Sequence, residues 1–174
     1  MHNRLDFSIG GPEVYNVLEI INHEDFELNP VAANDVSLVR LNRPANLNSP
    51  FIGLINMADS GDDFTGKSGW IIGWGVHTVG GFERAVILQQ GSVTVHPQDY
   101  CKDIYGDNIV EGQICLGEPG QTGSCSSDSG GPLIVDGVVA GISSWAPANC
   151  DPSRPSVYEG VAHWRQWIRQ QINV

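Results

Sequence analysis

The chain has 174 residues, a length that fits one domain and buries about 70% of the surface its unfolded form exposes. Nine basic residues against 20 acidic ones give a formal net charge of −11, which argues against nucleic acid or an anionic membrane surface as a partner, since both need a cationic face. A composition 41% hydrophobic and 17% charged excludes a disordered chain, and 21 Gly with 10 Pro favour a turn-rich, all-β chain over a helical bundle.

In chain order, Asp35-Val-Ser-Leu-Val-Arg-Leu41 alternates and stops at Asn42-Arg-Pro44, which predicts a strand with one buried face. Asp59-Ser-Gly-Asp-Asp-Phe-Thr-Gly66 is polar and glycine-rich, the best boundary between two halves. Gly69-Trp-Ile-Ile-Gly-Trp-Gly-Val76 predicts a buried strand ending in a glycine turn. Ala85 to Val95 predicts a longer strand with a bulge at Gly91. Pro97 to Tyr105 predicts a short helix. Pro132 to Trp145 predicts a hairpin, because two β-branched runs flank Asp136-Gly137. Val161, Trp164, Ile168 and Ile172 recur at helical spacing, so the chain is expected to close on a helix.

Four cysteines, Cys101, Cys115, Cys125 and Cys150, lie in the second half, and their even number allows three pairings. No Cys-x-x-Cys or closely spaced Cys/His pair supports zinc, so no metal and no cofactor is expected. Two disulfides formed in an oxidising compartment are the better reading. Met1 to Gly11 nevertheless contains no apolar run of signal-peptide length, and no stretch approaches the 18 apolar residues of a membrane span.

The run Asp128-Ser-Gly-Gly-Pro-Leu133 carries the chemistry. A serine hydroxyl is a weak nucleophile until a base takes its proton, and it needs backbone N–H groups aimed at a developing oxyanion. Glycines on a tight turn let that backbone approach a substrate. This run resembles the nucleophile loop of the trypsin/chymotrypsin-like serine proteases. Asn34-Asp35-Val-Ser-Leu-Val-Arg-Leu41, Gly73-Trp-Gly75, Ser144-Trp145 and Pro155-Ser-Val-Tyr158 resemble further signature segments of that family, from about residue 12 onward. The gap from Asp35 to Ser129 is 94 residues, against roughly 93 in the Ser-His-Asp template.

The resemblance implies an all-β fold of two antiparallel six-stranded barrels with a C-terminal helix, the first barrel incomplete. Residues 1–65 would be the remainder of the first barrel and 66–174 the second. It implies Ser129 as nucleophile, Asp35 as the carboxylate that orients the histidine, and the N–H groups of Ser127 and Ser129 as the oxyanion hole. Asp128 matches the carboxylate that pairs with an activated N-terminus. Gly123, Ser144, Ala146 and Ser156 match the specificity pocket. Cys101 with Cys115, and Cys125 with Cys150, match two family disulfides. Gly69 and Val135 stand where the cysteines of a third would be. The implied partners are protein or peptide substrates and protein protease inhibitors, with no nucleic acid and no membrane span, and the implied location is extracellular, by secretion.

Two departures stand out. In the template the histidine precedes the aspartate by roughly 45 residues, which places it about ten residues before Met1, so an N-terminally truncated chain without its base is expected. Ile9-Gly-Gly11 is too close to Asp35 to be the family's activated start. His23, in Asn22-His-Glu-Asp-Phe26, resembles a surface loop and is read as solvated. His2, His77, His96 and His163 occupy no motif position. Ser127 replaces the family's glycine, and a positive φ there would strain any residue with a Cβ. With no carboxylate at Gly123, and with Ala146 and Ser156 as walls, the expected preference is for apolar residues in the elastase-to-chymotrypsin range. The rival reading is a non-catalytic binding or regulatory module derived from a protease. Retention of both Asp35 and Ser129 tells against it.

Overall fold

The computed structural model describes residues 13–28, 30–118, 120 and 122–172; His2 and the Ile9-Gly-Gly11 segment lie outside them. Its elements are β1 (Val17–Asn22), β2 (Glu27–Leu28), β3 (Ala32–Ala33), β4 (Ser37–Leu41), β5 (Asn56–Met57), β6 (Ser68–Gly73), β7 (Gln89–His96), α1 (Gln98–Tyr105), β8 (Gln113–Leu116), β9 (Pro132–Val135), β10 (Val138–Trp145), β11 (Ser156–Gly160) and α2 (Val161–Ile172).

Six of these close a barrel. β6 pairs with β7, β7 with β8, β8 with β11, β11 with β10, β10 with β9 and β9 with β6, all antiparallel. Closure leaves the ring no free edge. Alternating residues point inward, and Ile71, Val93, Val95, Leu116, Leu133, Val135, Ala140 and Tyr158 form its core. The expected hairpin joins β9 to β10. Asp136 and Gly137 both have positive φ, 49° and 80°, as the two-residue turn that matches strand twist requires. Among the described residues the first half is open by contrast. β1 pairs with β4 and β2 with β3, each as a two-stranded sheet, while β5 adds in parallel to the start of β10.

The C-terminal helix ties the halves together. Val161, Trp164, Trp167 and Ile168 of α2 pack with Val36 and Ala58, and against Ile21, Leu38, Val139 and Ile142. Ile172, expected on the buried stripe, is exposed; Trp167 takes the buried position instead. His23 also departs from expectation. It is only 9% exposed, and its ring sits 4.7 Å from the Trp164 ring and 5.1 Å from Trp167. Two indoles on a helix create an apolar wall that the loop cannot avoid, so the imidazole is packed rather than solvated.

Other expectations shift for identifiable reasons. The strand expected from Ala85 begins at Gln89, because the segment before it is drawn aside: Arg84 bridges Val76, and Ala85 N–H donates to the Gly75 carbonyl. No bulge occurs at Gly91, which pairs in unbroken register with Ile71. A Cβ at Gly91 would lie 2.3 Å from Thr122 Cγ2, so this glycine marks a close approach. The helix expected over Pro97–Tyr105 is α1, with Pro97 as its N-cap.

Both disulfides form as the family resemblance implied, Cys101–Cys115 and Cys125–Cys150. Gly69 and Val135 face each other across β6 and β9, with the Gly69 Cβ position 2.9 Å from Val135 Cγ2. Packing thus occupies the place of a third cross-link. The double variant Gly69→Cys/Val135→Cys is expected to close a third disulfide on oxidation and to add up to about 4 kcal/mol by loop closure. Thiol titration and urea unfolding check this; two persistently free thiols would contradict it.

Candidate active site

Asp35 is placed by its own neighbourhood. Asn34 takes φ 52°, a left-handed conformation that Asn tolerates better than most residues. Its amide donates to the Asp25 carbonyl at 2.8 Å. Val36, next along, is buried beside α2. Upstream, β3 is held by a buried polar cluster: Gln113 Nε2 donates to the Ala32 carbonyl at 2.9 Å and to Glu159 Oε1 at 3.1 Å. Trp164 Nε1 donates to the other oxygen of Glu159 at 2.8 Å. Glu159 is 0% exposed, and a buried polar group is tolerable only when bonded in this way.

The partner of Asp35 comes from β10. Ser144 Oγ donates to Asp35 Oδ2 at 2.7 Å. Ser144 sits where the register of β10 against β11 shifts, between the pairs Ser143↔Tyr158 and Trp145↔Val157. Such an extra residue re-aims a side chain, and here it turns the hydroxyl to the aspartate. The residue before it holds the serine loop: Gly130 N–H donates to the Ser143 carbonyl and Ser143 N–H donates to Gly131, both at 2.8 Å. Asp35 and the loop bearing Ser129 are therefore anchored to consecutive residues of one strand.

Within that loop, Asp128 turns inward and Ser129 outward. Asp128 Oδ1 accepts from Gly75 N–H at 2.8 Å, and Oδ2 from Cys125 N–H at 3.1 Å. This is why Gly73-Trp-Gly75 carries glycines: a Cβ at Gly73 or Gly75 would overlap the Asp128 carboxylate. The Cys125–Cys150 bond braces the same loop. Ser129 is exposed. Ser127 has φ 75°, the left-handed region anticipated for this position. Among the described residues, the N–H groups of Ser127 and Ser129 donate to no protein acceptor, and no imidazole bonds the Ser129 hydroxyl. Of the described histidines, His23 packs against α2, His96 stacks on Tyr100 and His163 meets Trp164, while His77 borders the cavity beside the loop.

A cavity of about 350 Å³ opens beside the loop, bordered by Gly75, His77, Gly123, Ser124, Asp128 and Tyr158. Burial pushes the Tyr158 phenol pKa up, against the opposing effect of the Ser124 and Ser143 hydroxyls, so the ring presents a neutral wall. A smaller recess of about 30 Å³ adjoins it and includes Gly123 and Ser156. Ser156 Oγ accepts from Ser124 N–H at 3.1 Å and lies 2.9 Å from the Gly123 Cβ position, so its hydroxyl caps the floor. Ser144 and Ala146 border neither space. Ser124 and Tyr158 do border the large cavity, and sequence reasoning assigned them no role; their place immediately after Gly123 and Val157 was the available signal. Among the described residues no cluster of three or more His, Cys, Asp or Glu could hold a metal ion, and no helix is long and apolar enough to cross a membrane.

Comparison with known proteins agrees with this geometry. The trypsin family model matches residues 6–168. Human kallikrein-2 is 32% identical over 161 residues, covering 91% of this chain and 60% of the relative. Pig trypsin is 33% identical over 172 residues, covering 98% and 73%. The solved structure of neuropsin, a serine protease expressed in the limbic system of mouse brain, superposes with a TM-score of 0.84 at 30% identity, covering 91% of this chain and 71% of that one. The chain thus spans about 60% to 73% of the length of these relatives. By sequence and fold, it belongs to the trypsin family of serine proteases.

Proposed function

We propose that this chain is the greater part of a secreted serine endopeptidase, with Ser129 as nucleophile and Asp35 as the carboxylate that orients its base. The observation that carries the reading is the anchoring of Asp35 and the Ser129 loop on Ser144 and Ser143. The reaction is acyl transfer. Ser129 Oγ attacks the scissile carbonyl, a base takes the hydroxyl proton and returns it to the leaving amine, and water releases the acyl group. The Ser127 and Ser129 N–H groups receive the oxyanion. The base is the one member not supplied by the described residues. Removing a triad member in the template leaves roughly 10³–10⁴-fold catalysis over water, a severely crippled enzyme. A fluorophosphonate probe is therefore expected to label Ser129 negligibly, no faster than in the Ser144→Ala variant. Prompt labelling would show that a base is present after all.

The same gap supports the rival reading of a non-catalytic module that binds peptides without cutting them. Ser127 bears on both. A Cβ at φ 75° costs about 1–2 kcal/mol and loads the peptide that must donate to the oxyanion. Ser127→Gly is expected to raise stability by about 1 kcal/mol, or about 2–4 °C in Tm. A neutral or lower Tm in thermal unfolding would mean that the serine side chain repays its strain.

The preference expected of the pocket is for apolar side chains of small to medium size. Gly123 brings no carboxylate to the floor, and the Ser156 hydroxyl shortens it. Asp128 is already engaged by two N–H groups and is withdrawn from this role. Benzamidinium, a cationic probe, is expected to bind no better than millimolar by calorimetry; micromolar binding would contradict the apolar assignment.

A further inference from the structure

The two disulfides sit in different surroundings. Cys101 and Cys115 are each 1% exposed and lie among Ile109, Val157 and the Tyr100, Tyr105 and Trp145 rings. Cys125 is 7% exposed, and Cys150 is half-buried and borders both the large cavity and the smaller recess. Backbone conformation separates the pairs further. Of the four cysteines, only Cys150 has a positive φ, 54°, and it follows Asn149 at 57°. Two successive left-handed residues with side chains are costly, and such a conformation persists only while its surroundings hold it. The bond to Cys125 is one restraint on it. The Gly80 N–H on the Asn149 carbonyl at 3.1 Å and the Gly120 N–H on the Pro152 carbonyl at 2.8 Å are others.

Exposed or strained disulfides are the ones that exchange with thiols, and buried, relaxed ones resist. We infer that Cys150 is a site of reversible thiolation by small thiols, and that opening its bond to Cys125 releases one wall of the large cavity together with the serine loop. A small thiolate attacks Cys150 Sγ and forms a mixed disulfide. The Cys125–Cys150 bond breaks, and Cys125 Sγ leaves with the bonding electron pair and takes a proton. A second small thiolate attacks the sulfur of the bound thiol, so Cys150 leaves and is protonated in turn. The two small thiols are oxidised to their disulfide, and the two cysteines are reduced. The effect reaches the site through Cys125. Its N–H donates to Asp128 Oδ2, and its carbonyl accepts from Asp128 N–H at 3.0 Å, so the bond bears on the turn carrying Ser127 and Ser129. On the other side, Cys150 and Pro152 are wall residues of the cavity and move with the freed segment. Regulation of peptide cleavage by this route rests on the protease reading; the exchange itself does not.

The test treats the whole oxidised chain with reduced glutathione, alkylates it with N-ethylmaleimide and maps the products by mass spectrometry. Glutathione on Cys150 and the alkyl group on Cys125 are expected about tenfold sooner, or more, than either mark on Cys101 or Cys115. Equal rates, earlier opening of Cys101–Cys115, or an adduct confined to Cys125 overturns the inference. Hydrogen exchange of the opened chain should rise over residues 147–152 and 125–131, stay unchanged over α1 and β8, and return to its starting level with oxidised glutathione. Unchanged exchange at the cavity wall overturns the release. The Cys125→Ser/Cys150→Ser variant should reproduce the pattern of the opened chain. If near-UV circular dichroism finds that variant unfolded, the glutathione-opened native chain decides alone. Neither readout needs a base or turnover, so failure of this inference is separate from failure of the protease reading, which the fluorophosphonate probe addresses.

Discussion

The bond from Ser144 Oγ to Asp35 crosses 109 residues of sequence, and it exists because β10 carries one residue more than β11 at that point. A regular strand would alternate its side chains between the barrel interior and the outside. The irregularity breaks that alternation once and lets Ser144 face the neighbouring half instead. Its neighbour Ser143 keeps its backbone groups for Gly130 and Gly131. One local departure from strand geometry therefore sets the relation between the carboxylate and the serine loop.

The support around this joint is distributed by chemical type. Apolar packing holds the bulk: the barrel core on one side, and the α2 tryptophans with Val36 and Ala58 on the other. Polar groups appear where backbone would otherwise be left unpaired. Gln113 and Glu159 fasten the Ala32 carbonyl just ahead of Asp35, and Asp128 satisfies two N–H groups in the serine loop. Buried unpaired groups cost about 1–3 kcal/mol each, so these side chains are worth more for the geometry they enforce than as isolated bonds.

Much of this was legible in local sequence. Asp136-Gly137 specified its hairpin because only that turn suits both residues, and the α2 periodicity was plain because its apolar residues recur every third or fourth position. The cysteine pairs and the Gly69/Val135 pair followed from the family resemblance. What escaped was non-local. Nothing near Gly91 announces Thr122, and nothing near His23 announces two indoles more than 140 residues away. The Gln113–Glu159 cluster is invisible until β8 and β11 are adjacent, because a lone Glu in a strand reads as a solvated residue. The glycines of Gly73-Trp-Gly75 were recognised as a motif, but the carboxylate they make room for became evident only with the loop in place.

The position of α2 also governs the order of events at synthesis. It follows every described strand in the chain, yet its tryptophans close the core that seats His23, Val36 and Ala58. Segments translated early thus wait for those translated late. Contacts so remote in sequence form slowly, since loop closure must be met before they reward it. The early half keeps its apolar strands uncovered through that interval, and the Val36 segment beside the aspartate gains its packing only once Trp164 and Trp167 have emerged.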